Sequence, residues 1–142
     1  MRVKGIKMMV MLLLLFSLAV PVQSASAASK SIKVKVTLVS AELTENNHVG
    51  NEWYTAAYIN DKEISEGSSV VLTLKSTESV KLKAYAEEQD KIPDSASAAA
   101  SIKASAVTKT ISKAVKVTVV ENRGRYSGNT ATWKFTFKVQ KQ

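Results

Sequence analysis

Residues 130–139 read TATWKFTFKV, and their alternation of apolar and polar side chains decides the fold class. The apolar positions of this stretch are Ala131, Trp133, Phe135, Phe137 and Val139. The polar positions between them are Thr130, Thr132, Lys134, Thr136 and Lys138. Successive side chains of an extended chain point to opposite sides, so a period of two predicts a strand with one buried face.

The same period recurs in five further segments of the chain. Their apolar positions are Ile32, Val34, Val36 and Leu38; Trp53, Thr55, Ala57 and Ile59; Val70, Leu72 and Leu74; Val80, Leu82, Ala84 and Ala86; and Val115, Val117 and Val119. Turn-forming Gly, Asn, Asp and Pro residues separate these segments. Alternation on a single face favours antiparallel pairing. The sequence therefore predicts an all-β fold, an antiparallel β-sandwich of about seven or eight strands.

A serine and alanine tract at residues 95–106 fits neither period well. Alanine favours helix, but the tract has no apolar stripe at helical spacing. We predict a loop over Glu87–Asp94 and then a weak strand over Ser101–Thr108, which its pairing partners would have to stabilise.

The first 27 residues have the organisation of a secretory signal peptide. A basic segment at residues 2–7 precedes an uncharged apolar run at residues 10–20, and Ala-Ser-Ala at residues 25–27 fits the cleavage pattern. A membrane anchor is the alternative, but a bilayer span takes about 18 to 20 apolar residues. We predict cleavage, export to the extracellular space and one domain over residues 28–142.

Charge is distributed unevenly along the predicted mature chain. Residues 28–142 hold 17 of the 20 basic residues and all 12 acidic ones, for a net charge of +5. Residues 103–142 alone carry +8. A basic segment of this kind is attracted to anionic lipid or to anionic cell-wall polymers. No recognised motif for specific nucleic-acid binding accompanies the charge.

Catalytic motifs are absent from the sequence. The chain has no cysteine and one histidine, His48, which lies in a predicted turn without an evident orienting acid. The absence of cysteine also excludes disulfides and a lipobox-type lipid anchor. We predict a non-enzymatic protein, secreted freely by a Gram-positive, Bacillus-type bacterium, with no transmembrane segment after cleavage.

Five carboxylates cluster in two predicted loops. Glu88, Asp90 and Asp94 lie in one loop, and Glu45 and Glu52 bracket the other. A hard cation such as Ca²⁺ takes about six to eight oxygen ligands, several of them anionic. These five acids are therefore candidate Ca²⁺ ligands if both loops share one end of the sandwich. The alternative, which the pattern favours, is a solvated acidic loop at the rim of the sandwich.

Two segments resemble C2 domains and together cover a little over a third of the mature chain. VTLVSAELTENNHVGNEWYTAAYIN (residues 36–60) is similar to a C2 strand, loop and following strand, and SVKLKAYAEEQDKIPDS (residues 79–95) is similar to a later strand that enters an Asp-x-Asp loop. The resemblance implies that these loops bind Ca²⁺ and then anionic lipid, with Glu45 or Glu52 from one loop and Glu88, Asp90 and Asp94 from the other as the ligands. Glu88 replaces the first Asp of the Asp-x-Asp pair, and Glu and Asn replace the paired aspartates of the first loop. An immunoglobulin-like sandwich is the alternative topology.

A second candidate binding element is the segment that precedes the last strand. Arg123 and Arg125 flank Gly124, and Tyr126 follows. Guanidinium groups and an aromatic ring can bind phosphate or sugar hydroxyls. The alternative is a hairpin whose arginines keep its tip soluble.

Taken together, these features predict a secreted binding module for the cell envelope or another anionic extracellular surface, assisted by calcium in one version. A secreted antibacterial effector, or a matrix protein that self-associates through a free sheet edge, is the alternative.

Overall fold

The chain forms eight strands and one short 3₁₀ helix in the computed structural model, which describes residue 28 and residues 30–142. The strands are β1 (Ser31–Asn46), β2 (Trp53–Ile59), β3 (Lys62–Ile64), β4 (Ser69–Lys75), β5 (Ser79–Glu88), β6 (Asp94–Lys103), β7 (Ile111–Val120) and β8 (Thr130–Lys141). The 3₁₀ helix spans Ala104–Ala106. The predicted signal peptide, residues 1–27, lies outside the described residues.

The strands form two four-stranded antiparallel sheets, as the alternation predicted. Sheet A has the order β4-β1-β8-β7, and sheet B has the order β3-β2-β5-β6. β1 and β2 lie in different sheets, whereas the first two strands of an immunoglobulin constant domain pair in one sheet. The strand order therefore departs from the immunoglobulin arrangement.

The predicted apolar faces form the core between the sheets. Phe135 and Phe137 of β8 are 1% and 0% exposed, and the apolar positions of β5 and β7 are also buried. β8 pairs with both β1 and β7, so its aromatic side chains lie at the centre of sheet A. In the strands that contribute most of the core, the side chains that the period of two predicted to be buried are therefore the buried ones.

The serine and alanine tract contains a strand, as predicted, but the predicted bounds, Ser101–Thr108, are wrong. β6 begins at Asp94 and pairs with β5 over ten residues, while the end of the predicted strand, at residues 104–106, is a 3₁₀ helix. The predicted loop is correspondingly shorter, at residues 89–93. Pairing and packing override the helix propensity of alanine, because one set of β6 side chains lies against the core. That set is Ala96, Ala98, Ala100 and Ile102.

Three connections lie at the same end of the sandwich. They are the β1–β2 loop (47–52), the β5–β6 loop (89–93) and the β7–β8 loop (121–129). The terminal pairs are Asn46 with Ala131, Trp53 with Glu88, Glu88 with Asp94, and Val120 with Thr130. The backbone N–H of Asn47 also donates to the carbonyl of Thr130 at 3.0 Å, which ties the first of these loops to β8.

β1 is longer than the strand that covers its outer edge. β4 pairs only with residues Ser31 to Thr37 of β1. Residues 40–46 continue to pair with β8 on the other side. The second half of β1 therefore has a backbone edge that no strand of the described chain covers.

Candidate functional site

The three loops at one end of the sandwich surround an open depression of about 390 Å³. We call it the loop depression. Its polar and aromatic lining side chains are His48, Glu88, Asp90, Glu121, Arg123, Arg125 and Tyr126. Each of the three loops, or a strand end that enters it, contributes to this lining.

The β1–β2 loop is held by the last side chain of β1. Asn46 Nδ2 donates to the carbonyl of Gly50 at 2.8 Å, and the backbone N–H of Val49 donates to Asn46 Oδ1 at 3.0 Å. Val49 is 1% exposed and anchors the loop in the core. His48 has a φ of 59°, in the left-handed region, which directs the backbone through a tight turn.

Gly50 lies directly against the side chain of Glu88. A Cβ added to Gly50 would stand 2.6 Å from the Glu88 carboxyl carbon, closer than real atoms approach. The φ of Gly50 is 113°, a conformation that favours glycine. The β1–β2 loop and the end of β5 therefore fit together only because position 50 lacks a side chain.

Glu88 is a carboxylic acid in a buried position, with 4% of its surface exposed. Its Oε2 accepts a hydrogen bond from the backbone N–H of Asp90 at 3.2 Å. Burial raises the pKa of Glu88 above its ordinary value, and the negative charges of Asp90, Glu121 and Asp94 raise it further. This acid consequently binds a proton more readily than a solvated glutamate.

Asp94 joins two of the loops. Its Oδ1 accepts from Asn122 Nδ2 at 2.6 Å, and its Oδ2 accepts from the backbone N–H of Asn122 at 3.1 Å. Asp94 is 8% exposed, so the pair replaces solvent at both carboxylate oxygens. Asp90 closes a local turn, because its Oδ1 accepts from the backbone N–H of Ile92 at 2.6 Å.

Aromatic and guanidinium groups form the other side of the loop depression. The rings of His48 and Tyr126 stack at 5.3 Å with an angle of 16°. The guanidinium carbon of Arg125 lies 6.0 Å from the Tyr126 ring. The β7–β8 loop that carries these residues is closed by backbone bonds, among them Gly128 N–H to Glu121 O at 2.8 Å.

The five acids predicted as metal ligands have different surroundings. Glu88, Asp90 and Asp94 lie together around the β5–β6 loop, whereas Glu45 is an exposed residue of β1, opposite Thr132, rather than a loop residue. Glu52 is exposed, and its carbonyl accepts from the Gln89 N–H at 2.7 Å. In the described part of the chain, no three His, Asp or Glu side chains form a group that could hold a metal ion.

Sequence reasoning missed two residues of the loop depression. His48 was interpreted as an isolated turn histidine, but it stacks on Tyr126. Glu121, the single acid of the basic C-terminal third, adds its negative charge to the surroundings of Glu88. No local pattern signals either contact, because each joins residues of different loops.

The side chains of the loop depression include groups that can contact an anion or a ring. Arg123 and Arg125 offer planar donors for oxyanions, and Tyr126 and His48 offer an aromatic platform beside them. Glu88, whose pKa is raised, accepts a backbone hydrogen bond and faces Gly50, with no hydroxyl or imidazole of the described residues hydrogen-bonded to it.

No protein-family model matches the chain, and no curated protein matches it in sequence. None of the helical residues described forms a segment long and apolar enough to cross a membrane.

Proposed function

We propose that the protein is a secreted, non-enzymatic binding module that attaches to phosphate-rich anionic surfaces of the cell envelope. The observation that carries this proposal is the outer face of sheet A, where the strand register brings six lysines together. We call this surface the lysine face. Its members are Lys33, Lys35, Lys75, Lys116, Lys134 and Lys138.

Little negative charge offsets the lysine face. The strands of sheet A carry two carboxylates, Glu42 and Glu45. Lys134 Nζ lies 3.3 Å from Glu42, which is the one ion pair within the described residues. Lys116 lies directly opposite Lys134 in the pairing of β7 with β8. Like charges opposite each other destabilise a sheet, so this pair of lysines is unfavourable for folding. An anionic partner that binds there would relieve the repulsion.

The lysine face suits a diffuse partner. An ammonium group acts as a point charge on a flexible stem and needs no fixed geometry. Serine and threonine side chains alternate with the lysines and supply hydroxyl donors; they include Thr37, Thr118, Thr132 and Thr136. Attraction between such a face and a polyanion falls over a screening length of about 10 Å at 0.1 M salt. Binding through this face is therefore expected to weaken steeply as salt is added.

The β7–β8 loop extends from two strands of the lysine face and adds a more selective contact. Arg123 and Arg125 can each bind a phosphate through two parallel N–H donors, and Tyr126 packs beside them. We infer that the lysine face provides attraction and that this loop provides specificity for the phosphate group.

The C2-like resemblance and the calcium contact belong to this proposal as hypotheses from the sequence. The convergence of the β1–β2 and β5–β6 loops at one end supports them, since the resemblance implies ligands from both loops. If calcium binds there, CaCl₂ raises the melting temperature of the wild-type protein, and Asp90→Asn removes the rise. A wild-type melting temperature that does not respond to CaCl₂ removes calcium from the proposal.

The central experiment is sedimentation of the protein with phosphatidylglycerol-containing vesicles and with isolated cell walls. We expect binding that is lost in pure phosphatidylcholine and that falls with added salt. The triple variant Lys33→Gln, Lys116→Gln and Lys138→Gln should bind much less. The matched control, Lys62→Gln, Lys103→Gln and Lys109→Gln, loses the same charge from exposed positions off the lysine face.

Two arms of that experiment separate lipid from wall polymer. If the wall polymer is the partner, cell walls stripped of their phosphate polymers by mild acid should no longer bind the protein. If the lipid is the partner, the vesicles should still bind it. Equal binding by the two triple variants contradicts the role of the lysine face in either case.

The uncovered half of β1 favours self-association as a second candidate function. No strand of the described chain pairs with the outer edge of residues 40–46, where only the Ala41 N–H has a side-chain partner, Glu66 Oε2 at 3.2 Å; Leu43 is an exposed apolar side chain of this segment. Concentration-dependent assembly in analytical ultracentrifugation, abolished by Leu43→Lys, is the expected result. A protein that stays monomeric at all concentrations contradicts this candidate.

A further inference from the structure

The outer face of sheet B differs in character from the lysine face. The pairing register places three tyrosines on it: Tyr54 and Tyr58 of β2, and Tyr85 of β5. We call this surface the tyrosine face. Tyr54 is 42% exposed.

Two of the three rings contact each other, and the third contacts a lysine. The rings of Tyr54 and Tyr85 lie 6.1 Å apart at an angle of 62°. Ala56 lies between Tyr54 and Tyr58 along β2, pairs with Tyr85, and is 5% exposed although its register places it on the outer face. The Nζ of Lys83 lies 5.7 Å from the centre of the Tyr58 ring. The low exposure of Ala56 indicates that its larger neighbours cover it, while Tyr54 is exposed and Tyr58 and Tyr85 are half-buried.

Polar groups lie at the rim of the tyrosine face. The hydroxyl of Tyr85 donates to the carboxylate of Glu87, and this hydrogen bond is the main reason why the pKa of Tyr85 is raised. The negative charge of Glu63 is the main reason why the pKa of Tyr54 is raised. Both phenols therefore stay protonated at neutral pH; the Tyr54 hydroxyl can donate or accept, and the Tyr85 hydroxyl, whose proton is donated to Glu87, can accept.

The neighbouring strand leaves room beside these rings. The side chains of β6 that lie in register with the outer face of β5 are all small: Ser95, Ser97, Ala99 and Ser101. An open hollow of about 440 Å³, lined in part by Lys83, Ala99 and Ser101, lies along the same strands. A ligand that rests on the tyrosines can extend over β6 without meeting a bulky side chain.

We propose that the tyrosine face binds an uncharged polysaccharide, as a site separate from the lysine face. A pyranose ring has an apolar face of C–H groups that packs on an aromatic ring, and hydroxyl groups at its edge that need polar partners. The tyrosine face supplies both, with phenol, serine, lysine and carboxylate groups around the rings. A chain of sugar rings matches a surface with several aromatic contacts in a row.

Charge separates this partner from the one proposed for the lysine face. Directly around the three tyrosines, Lys83 is accompanied by Glu63 and Glu87, so this part of the face carries no excess of positive charge, and Lys81 and Lys103 lie farther along the same face. A phosphate polymer gains no net electrostatic attraction there, whereas a neutral hydroxyl-rich polymer does not depend on electrostatic attraction to bind. Binding at the tyrosine face is therefore expected to persist in salt that removes binding at the lysine face.

The test is retention of the purified protein on insoluble cellulose and on insoluble chitin in about 0.5 M NaCl, where surface charges are screened. We expect retention on at least one of the two polymers. Tyr54→Ala and Tyr85→Ala should each weaken retention by about tenfold, the size of one lost aromatic contact. Ile92→Ala is the matched control, since Ile92 is an exposed apolar residue of the β5–β6 loop and lies off the tyrosine face.

A further variant tests the site without removing a ring. Ser97→Arg places a long side chain on β6 opposite Tyr85, at an exposed position, and should block the polymer while the melting temperature stays near that of the wild type. No retention on either polymer, or retention unchanged by Tyr54→Ala and Ser97→Arg, overturns the proposal. If retention is lost in salt and also in the lysine-face triple variant, the proposal for the tyrosine face is overturned and the binding belongs to the lysine face.

Discussion

Lys116 of β7 lies directly opposite Lys134 of β8, and only Lys134 has a carboxylate partner, Glu42. Two ammonium groups across an antiparallel pair repel each other, at a cost of about 0.2 to 1 kcal/mol. Lys116→Thr should therefore stabilise the fold slightly while weakening sedimentation with anionic vesicles. Urea unfolding and vesicle sedimentation of the same variant measure the two effects.

Lys113→Thr is the control for this prediction. It removes the same charge from the same strand, but Lys113 pairs with Phe137 and lies off the lysine face. We expect no gain in the free energy of unfolding and a smaller loss of binding. If Lys116→Thr and Lys113→Thr behave alike in both assays, the pair of Lys116 and Lys134 neither destabilises the fold nor contributes specially to vesicle binding.

A second prediction concerns the contact between Gly50 and Glu88. Gly50→Ala adds a Cβ that overlaps the Glu88 side chain and also strains a φ of 113°, so it should cost more than about 2 kcal/mol of unfolding free energy. Gly124→Ala is the matched control, because its φ is 75° but a Cβ there would meet nothing within 4 Å. It should cost only the backbone strain of about 1 kcal/mol.

The two costs can be separated further with a double variant. Glu88→Ala removes the atoms that the new Cβ meets, so Gly50→Ala should be less harmful in that background. Strictly additive free energies of unfolding would mean that the loops relax and that Glu88 does not hold Gly50 in place.

The strands that the sequence predicted correctly are those whose two faces differ strongly. β8 alternates Trp, Phe and Val with Thr and Lys, so burial can be assigned from the pattern alone. β6 alternates alanine with serine over most of its length, and these side chains differ too little in size and polarity for the period to be visible. Its position is fixed by pairing with β5, which a local pattern does not contain.

The acids of the loop depression illustrate the same limit. Glu88 and Asp94 read as exposed loop residues in the sequence, yet they are 4% and 8% exposed. Their burial depends on Gly50 and Asn122, which belong to other loops. A cluster of acids predicts a loop well. Contacts between distant segments determine whether each carboxylate is solvated, buried or bound to an ion.

A third prediction concerns the two tryptophans whose rings meet between the sheets at 5.8 Å. Trp53 Nε1 donates to the carbonyl of Gly50 at 3.3 Å, whereas Trp133 Nε1 is buried and has no hydrogen-bond partner among the described residues. A buried donor without a partner costs about 1 to 3 kcal/mol. Trp133→Phe should therefore destabilise the protein less than Trp53→Phe, although both remove the same atoms.

Chemical unfolding of the two variants checks this difference, and each serves as the control for the other. Both leave a similar cavity, so the loss of packing is matched. A Trp133→Phe variant that is as unstable as Trp53→Phe would mean that the Trp133 N–H is satisfied in solution.

The last prediction follows from the raised pKa of Glu88. The folded protein holds a proton on this group at pH values where the unfolded chain has released it. Stability therefore falls as pH rises from the ordinary glutamate value of 4.5 through the raised pKa of the folded state. Glu88→Gln keeps the shape and the acceptor for the Asp90 N–H but never ionises, so it should be more stable than the wild type at neutral pH. The difference should shrink as the solution is acidified and Glu88 becomes protonated.

Urea unfolding between about pH 4 and about pH 8 measures this difference in stability, with exposed Glu45→Gln as the control that should follow the wild type. A Glu88→Gln variant that is less stable than the wild type at neutral pH would mean that the ionised carboxylate is stabilised in the fold, as a bound cation would do, and would favour the calcium hypothesis.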